Sequence, residues 1–143
     1  MKIDAIMSTR LVSVQLDDTL ETIKDIFESA HIHHVLVLGE SELYGIISDR
    51  DLLRALSPYI GSNVETPRDT ATLHKRAHQI MTRKPRTLGP DADVADAVTL
   101  LLQNDFSCIP VVDGQRTPLG IVTWRDLLRH LSAGTGQAPG KPA

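Results

Sequence analysis

Along the chain, short unbroken apolar runs alternate with segments whose apolar residues recur every three or four positions. Leu20, Ile23, Ile26, Phe27 and Ala30 share one helical face. Asp17-Asp18-Thr19 ahead of them supplies N-cap side chains, and Glu21 follows Asp18 at capping-box spacing. Val12-Ser13-Val14 reads as a short strand edge. Val35 to Leu38 has the length of a buried strand, and Leu43 to Ile47 predicts a second after the turn Gly39-Glu40-Ser41-Glu42. Asp49 to Leu56 predicts a helix with Leu52, Leu53 and Leu56 facing inward. The predicted order is strand, helix, strand, strand, helix.

The same order returns downstream. Val94, Ala97, Val98 and Leu101 mark a helix, Ile109–Val112 and Leu119–Thr123 two strands, and Trp124–Leu131 a closing helix. A shift of 74 positions lays Ile6-Met7-Ser8 on Ile80-Met81-Thr82, Asp17 on Asp91, and Val35-Leu36-Val37-Leu38 on Ile109-Pro110-Val111-Val112. After one extra loop residue the shift is 75, and eight of the twelve residues from Gly45 to Leu56 are identical in the second copy. The chain is an internal duplication. Within the joining segment, the part with Pro58, Gly61, Asn63 and Pro67 reads as loop, and Thr72 to Met81 as a helix leading into the second copy. A unit of roughly 50 residues buries too little surface to be stable alone. Two copies are therefore expected to pack sheet to sheet with pseudo-two-fold symmetry, in an α+β fold.

Composition narrows the function classes. The 143 residues are 41% apolar and 23% charged, as in ordinary globular proteins. A net charge of −3 and 3% aromatic residues argue against a nucleic-acid binder, which needs a basic footprint or stacking platforms. Cys108 is the single cysteine, so a reducing cytoplasm is the natural setting. No run of 18 apolar residues suggests a membrane span, and no signal peptide is expected. The Gly/Pro/Ala-rich stretch 133–143 is expected to be disordered.

Taken together, Ile6-Met7 and Ile80-Met81, the Ile109-Pro110-Val111-Val112 run, and the closing Gly-Ile-Ile-Ser-x-x-Asp and Gly-Ile-Val-Thr-x-x-Asp motifs resemble a pair of cystathionine-β-synthase-type (CBS) domains, a Bateman module. The resemblance spans about residues 3 to 132. It divides the chain into repeat 1 (1–60), a linker (61–76), repeat 2 (77–132) and the tail. It implies a tandem CBS domain pair, each repeat β-α-β-β-α, with a regulatory rather than catalytic role. The implied ligand is an adenine nucleotide (AMP, ADP or ATP) held in a cleft between the repeats, with S-adenosylmethionine the less favoured choice. A homodimer and an unidentified regulated protein are the implied partners. The chain looks like a stand-alone member of the family.

The resemblance also nominates residues. Asp51 and Asp126 match the aspartate that accepts ribose hydroxyls, and Ser48 and Thr123 the hydroxyl residue beside it. An ionised carboxylate suits a cis-diol because charge-assisted hydrogen bonds are the stronger ones. The same Ser/Thr-x-x-Asp spacing is equally a helix capping box, and both roles can coexist at a helix N-terminus. Arg50 and Arg125, inside the motifs, are candidates for phosphate or plain surface arginines. Main-chain groups near Ile32 and Phe106 are implied to contact adenine, with His33 and His34 approaching phosphate. Val12, Ser13, Arg86 and Thr87 match the purine-lining segment, and Cys108 is a core or pocket-lining residue. His31 and His33 alternate onto one strand face, but no third ligand completes a metal site, and none is predicted. Leu36 stands where the second copy has Pro110, a departure expected to alter the backbone of one pocket. The first motif has more neighbouring cations and is the favoured site of occupancy. The rival readings are a ligand-free dimerisation or scaffold module and an enzyme. Against the last stands the lack of a P-loop, a nucleophile–base pair or zinc spacing.

Overall fold

The structure is a computed structural model and describes residues 1–134. Most of the stretch expected to be disordered, 135–143, lies outside the described residues. The chain forms two compact units whose limits do not follow the sequence repeats. One is Val12–Pro85, and the other joins Met1–Leu11 to the chain from Arg86 onward.

The Val12–Pro85 unit holds β1 (Ser13–Gln15), α1 (Leu20–Ala30), β2 (His34–Gly39), β3 (Glu42–Ser48), α2 (Asp49–Ala55), α3 (Pro67–Ala71), α4 (Ala77–Ile80) and β4 (Thr82–Arg83). The strands form one sheet in the order β1-β2-β3-β4. The β1–β2 pair is parallel and the other two pairs are antiparallel. β3 shows the alternation of a half-buried strand: Leu43, Gly45 and Ile47 are buried, while Tyr44 faces out. Leu20 and Ile23 of α1 pack with Val35, Val37 and Ile47 of the sheet into one core.

Several local expectations change. The N-cap of α1 is Thr19, whose hydroxyl accepts from Thr22 N, while Asp18 Oδ2 instead accepts Gln15 N at 2.7 Å. The Asp18–Glu21 box therefore does not form, because Asp18 closes the turn leaving β1. Leu53, expected inward, is 74% exposed, whereas Leu52 is buried. Consecutive helical residues point about 100° apart, so both cannot face the same sheet. Pro67 opens α3 rather than sitting in loop. Proline suits the first helical position, and Thr66 with Asp69 boxes the start. The helix expected from Thr72 to Met81 breaks into a 3-10 turn (Thr72–His74) and α4. Lys75 O accepts Leu20 N at 2.9 Å and Ala77 N donates to Asp18 O at 2.8 Å. Backbone groups that would continue the helix thus fasten the start of α1.

The second unit holds a 3-10 turn (Ile3–Ala5), α5 (Val94–Gln103), β5 (Cys108–Val112), β6 (Pro118–Thr123) and α6 (Trp124–Gly134). β5 and β6 are antiparallel. Ile3 joins Ala97, Leu101, Ile109, Val111 and Val122 in its core. The first strand expected in this repeat is reduced to a bridge between Leu88 and Val111. In the first repeat Leu36 N donates to Val12 O at 3.0 Å. Pro110 has no N–H to make the corresponding bond, so the ladder cannot extend to Arg86.

The two units are built alike at one further point. β4 lies antiparallel to β3, with Gly45 opposite Arg83. In the second unit Ser8 and Ile121 exchange backbone bonds of 2.8 and 2.9 Å. Each Ile-Met-Ser/Thr segment therefore lies against the closing strand of the other sequence repeat.

Candidate functional site

In the Val12–Pro85 unit, one end of the sheet collects the candidates of the first motif. His34 is opposite Ser48, and Ser13 opposite Leu36. Asp49 N donates to His33 O at 3.0 Å, which brings the start of α2 against the start of β2. Val12, Ser13, Ile32, His33, His34, Ser48, Arg50 and Asp51 thus share this end. Ser48 is the N-cap of α2: its hydroxyl accepts Asp51 N at 3.1 Å, and Asp51 Oδ2 accepts Ser48 N at 2.9 Å. The capping box is formed. It uses one carboxylate oxygen, and Asp51 Oδ1 has no hydrogen-bond partner among the described residues. Arg50 is exposed and free of ion pairs among the described residues.

Asp49 joins this end through a tertiary contact. His33 Nδ1 lies 2.9 Å from Asp49 Oδ2. That hydrogen bond is the main cause holding the Asp49 carboxyl below its usual range. His33 therefore presents Nε2, not Nδ1, to any ligand. Partial burial pushes the His34 imidazole down, and the Asp49 and Asp51 charges oppose this only in part. The only hint of the pair in sequence is an acid at the first helical position, a place where acids favour the helix dipole in any case.

In the second unit Cys108 is opposite Thr123. Thr123 N donates to Asp126 Oδ2 at 2.9 Å, and Asp126 N to Thr123 Oγ1 at 3.4 Å. Asp126 is 7% exposed. Its other oxygen, Oδ1, accepts from Arg129 Nη1 at 3.4 Å. Nothing in the sequence sets Arg129 apart from its repeat counterpart Arg54. Burial, with the Asp126 charge adding to it, pushes the Cys108 thiol up to about 12. At neutral pH it is a thiol and a poor nucleophile. Phe106 is half-buried against the core, and Arg86 and Thr87 precede the Leu88 bridge, Arg86 exposed and Thr87 half-buried. Arg125 is exposed. Trp124 and Ser107 stand where the first repeat has Asp49 and His33.

Each unit thus offers a hydroxyl–carboxylate pair at the start of a helix, beside two strand ends. Such a pair can accept hydroxyl donors, and exposed Arg50 and Arg125 can approach an anion. Among the described residues no three His, Cys, Asp or Glu side chains converge as a metal ion requires. No helix among them is long and apolar enough to cross a membrane.

The CBS domain family model matches residues 3–58 and 77–133. A CBS domain-containing protein of Dictyostelium discoideum is 34% identical over 125 residues, covering 86% of each chain. The crystal structure of CBSX2 in complex with AMP, a CBS-pair protein of Arabidopsis thaliana, superposes with a TM-score of 0.79 at 23% identity, covering 94% of this chain and 98% of that one. A CBS domain pair in complex with 5-methylthioadenosine and S-adenosyl-L-methionine gives a TM-score of 0.76 at 24% identity, over 94% and 98% of the two chains.

Proposed function

The chain belongs to the CBS domain family, and from that premise we propose that it is a regulatory module that binds an adenine nucleotide at the Ser48–Asp51 end of the first sheet. The observation that carries the reading is Asp51 Oδ1, an oxygen left free by a capping box that needs only Oδ2. A ribose diol can use it without dismantling the helix start. Val12, Ser13 and Ile32 flank the purine, Arg50 favours a phosphate-bearing ligand (AMP, ADP or ATP) over a sulfonium, and His33 and His34 can donate ring N–H bonds to the phosphate. Thr123, Arg125 and Asp126, with Phe106 and Cys108, form the second, weaker set, and Arg86 and Thr87 stay candidates for the purine side. That one solved relative holds AMP, and another adenosine-derived ligands, supports the class. Binding regulates a partner by as much as the ligand's affinity differs between two shapes of the module.

Titration calorimetry with AMP, ADP, ATP and S-adenosylmethionine tests it, on wild type and Asp51→Asn. Asparagine retains a carbonyl oxygen for Ser48 N but replaces the diol acceptor with a donor. Saturable binding that falls at least tenfold in Asp51→Asn, with the unfolding midpoint lowered less than in Ser48→Ala, is the expected result. Absence of binding heat at several temperatures, with no thermal shift, removes the nucleotide reading.

The alternative is a ligand-free dimerisation module. Leu128 and Leu131 of α6 are 59% and 64% exposed, and with Trp124 they fall on one helical face. We assign this stripe to a homodimer contact, which is compatible with either reading.

A further inference from the structure

Asp51 and Asp126 hold equivalent positions and make the same backbone capping contacts. They differ at the second oxygen. Asp51 Oδ1 has no partner among the described residues, whereas Asp126 Oδ1 accepts Arg129 Nη1 at 3.4 Å. Arg54 is the counterpart of Arg129 by the same shift of 75, yet among the described residues it makes no ion pair with Asp51. The Asp126 carboxylate is also buried, so the guanidinium is poorly replaced there by water.

We infer that Arg129 is a specificity-determining residue that makes the two Ser/Thr-x-x-Asp motifs unequal, by occupying the carboxylate oxygen a ribose diol would use at Asp126. The inference rests on the nucleotide reading and adds which motif fills first, and why. A diol reaching Asp126 must displace a charge-assisted bond, while one reaching Asp51 displaces water. The Arg129 side chain is 64% exposed, so solvent screens the pair and its effect is modest. For the same reason its removal leaves the core untouched. Adenosine separates this competition from any attraction between Arg129 and a phosphate, because it carries the diol without the charge.

The test is calorimetry with adenosine and AMP on wild type, Asp51→Asn, Arg129→Ala and the Arg129→Ala/Asp126→Asn double variant, with folding checked by thermal unfolding. Wild type is expected to bind at one stronger site, lost in Asp51→Asn, and one weaker site. Arg129→Ala is expected to raise adenosine affinity at the weaker site about fivefold, the scale of a screened ion pair. The double variant is expected to lose that gain. An unchanged or weakened second site in Arg129→Ala overturns the inference while leaving the nucleotide reading intact. A gain that persists without Asp126 overturns it as well. Failure of every variant to bind either ligand overturns both.

Discussion

Gly45 lies directly beneath Met81: a Cβ built on Gly45 would sit 2.5 Å from the Met81 sulfur and 2.9 Å from Thr82 O. Gly120 and Met7 repeat the relationship at 2.6 Å, with Ser8 O at 2.9 Å. The flexible thioether can move, but the carbonyl belongs to a strand-pairing segment and cannot move without loosening it. Gly45→Ala is therefore expected to destabilise by about 1–3 kcal/mol, the scale of overpacking. Urea unfolding measures it, and a loss under a few tenths would mean that the crossing segment yields freely.

Capping and ligand binding make separable demands on the first motif. Ser48→Ala removes the hydroxyl that accepts Asp51 N and is expected to cost about 1 kcal/mol, the usual loss of an N-cap. Asp51→Asn is expected to cost less, because an acceptor remains for Ser48 N. Equal losses in chemical denaturation would show that the charge of Asp51, and not its cap geometry, holds the start of α2.

Acid sensitivity is expected in two separate windows. His34 titrates below its ordinary 6.5 because burial disfavours the imidazolium. Between the folded and unfolded values the unfolded chain binds more protons, so stability falls as pH drops below 6.5. Asp49 is held below its ordinary 3.8, chiefly by the His33 hydrogen bond. Its contribution is present above 3.8 and is lost as pH falls through the depressed folded value. Urea midpoints between pH 7.5 and 5 should decline in wild type and flatten in His34→Gln. A decline unaltered by that substitution would place the proton uptake elsewhere.

The Cys108 thiol, pushed up to about 12 and buried, is expected to react with a disulfide reagent at pH 8 on the order of a hundredfold slower than in denaturant. Comparable rates in the two conditions would show that the strand pair β5–β6 opens readily at its Cys108 end.

Leu128→Glu places a charge on the α6 stripe assigned above to a homodimer contact, and the proposed dimer is expected to give way to monomer in light scattering at micromolar concentration, with a lower unfolding midpoint because association stabilises the folded chain. A dimer that survives both Leu128→Glu and Leu131→Glu would assign the contact to another face.

The duplication, the order of strands and helices, and both Ser/Thr-x-x-Asp helix starts were legible in the sequence. They depend on periodicity and on local capping, which act within a few residues. Pro110 could be seen to differ from Leu36, and the missing N–H accounts for the reduced first strand in the second repeat. The tertiary structure decided what depends on distant partners. It laid each Ile-Met-Ser/Thr segment against the closing strand of the other repeat, a pairing between residues far apart in the chain. It divided the helix expected after Thr72, because Lys75 and Ala77 found backbone partners at the start of α1. It turned Leu53 outward, and it gave Asp126 an arginine while leaving Asp51 an oxygen without a partner among the described residues. Two motifs of nearly identical sequence thus became chemically different, because a side chain's free valences are set by what folds against it.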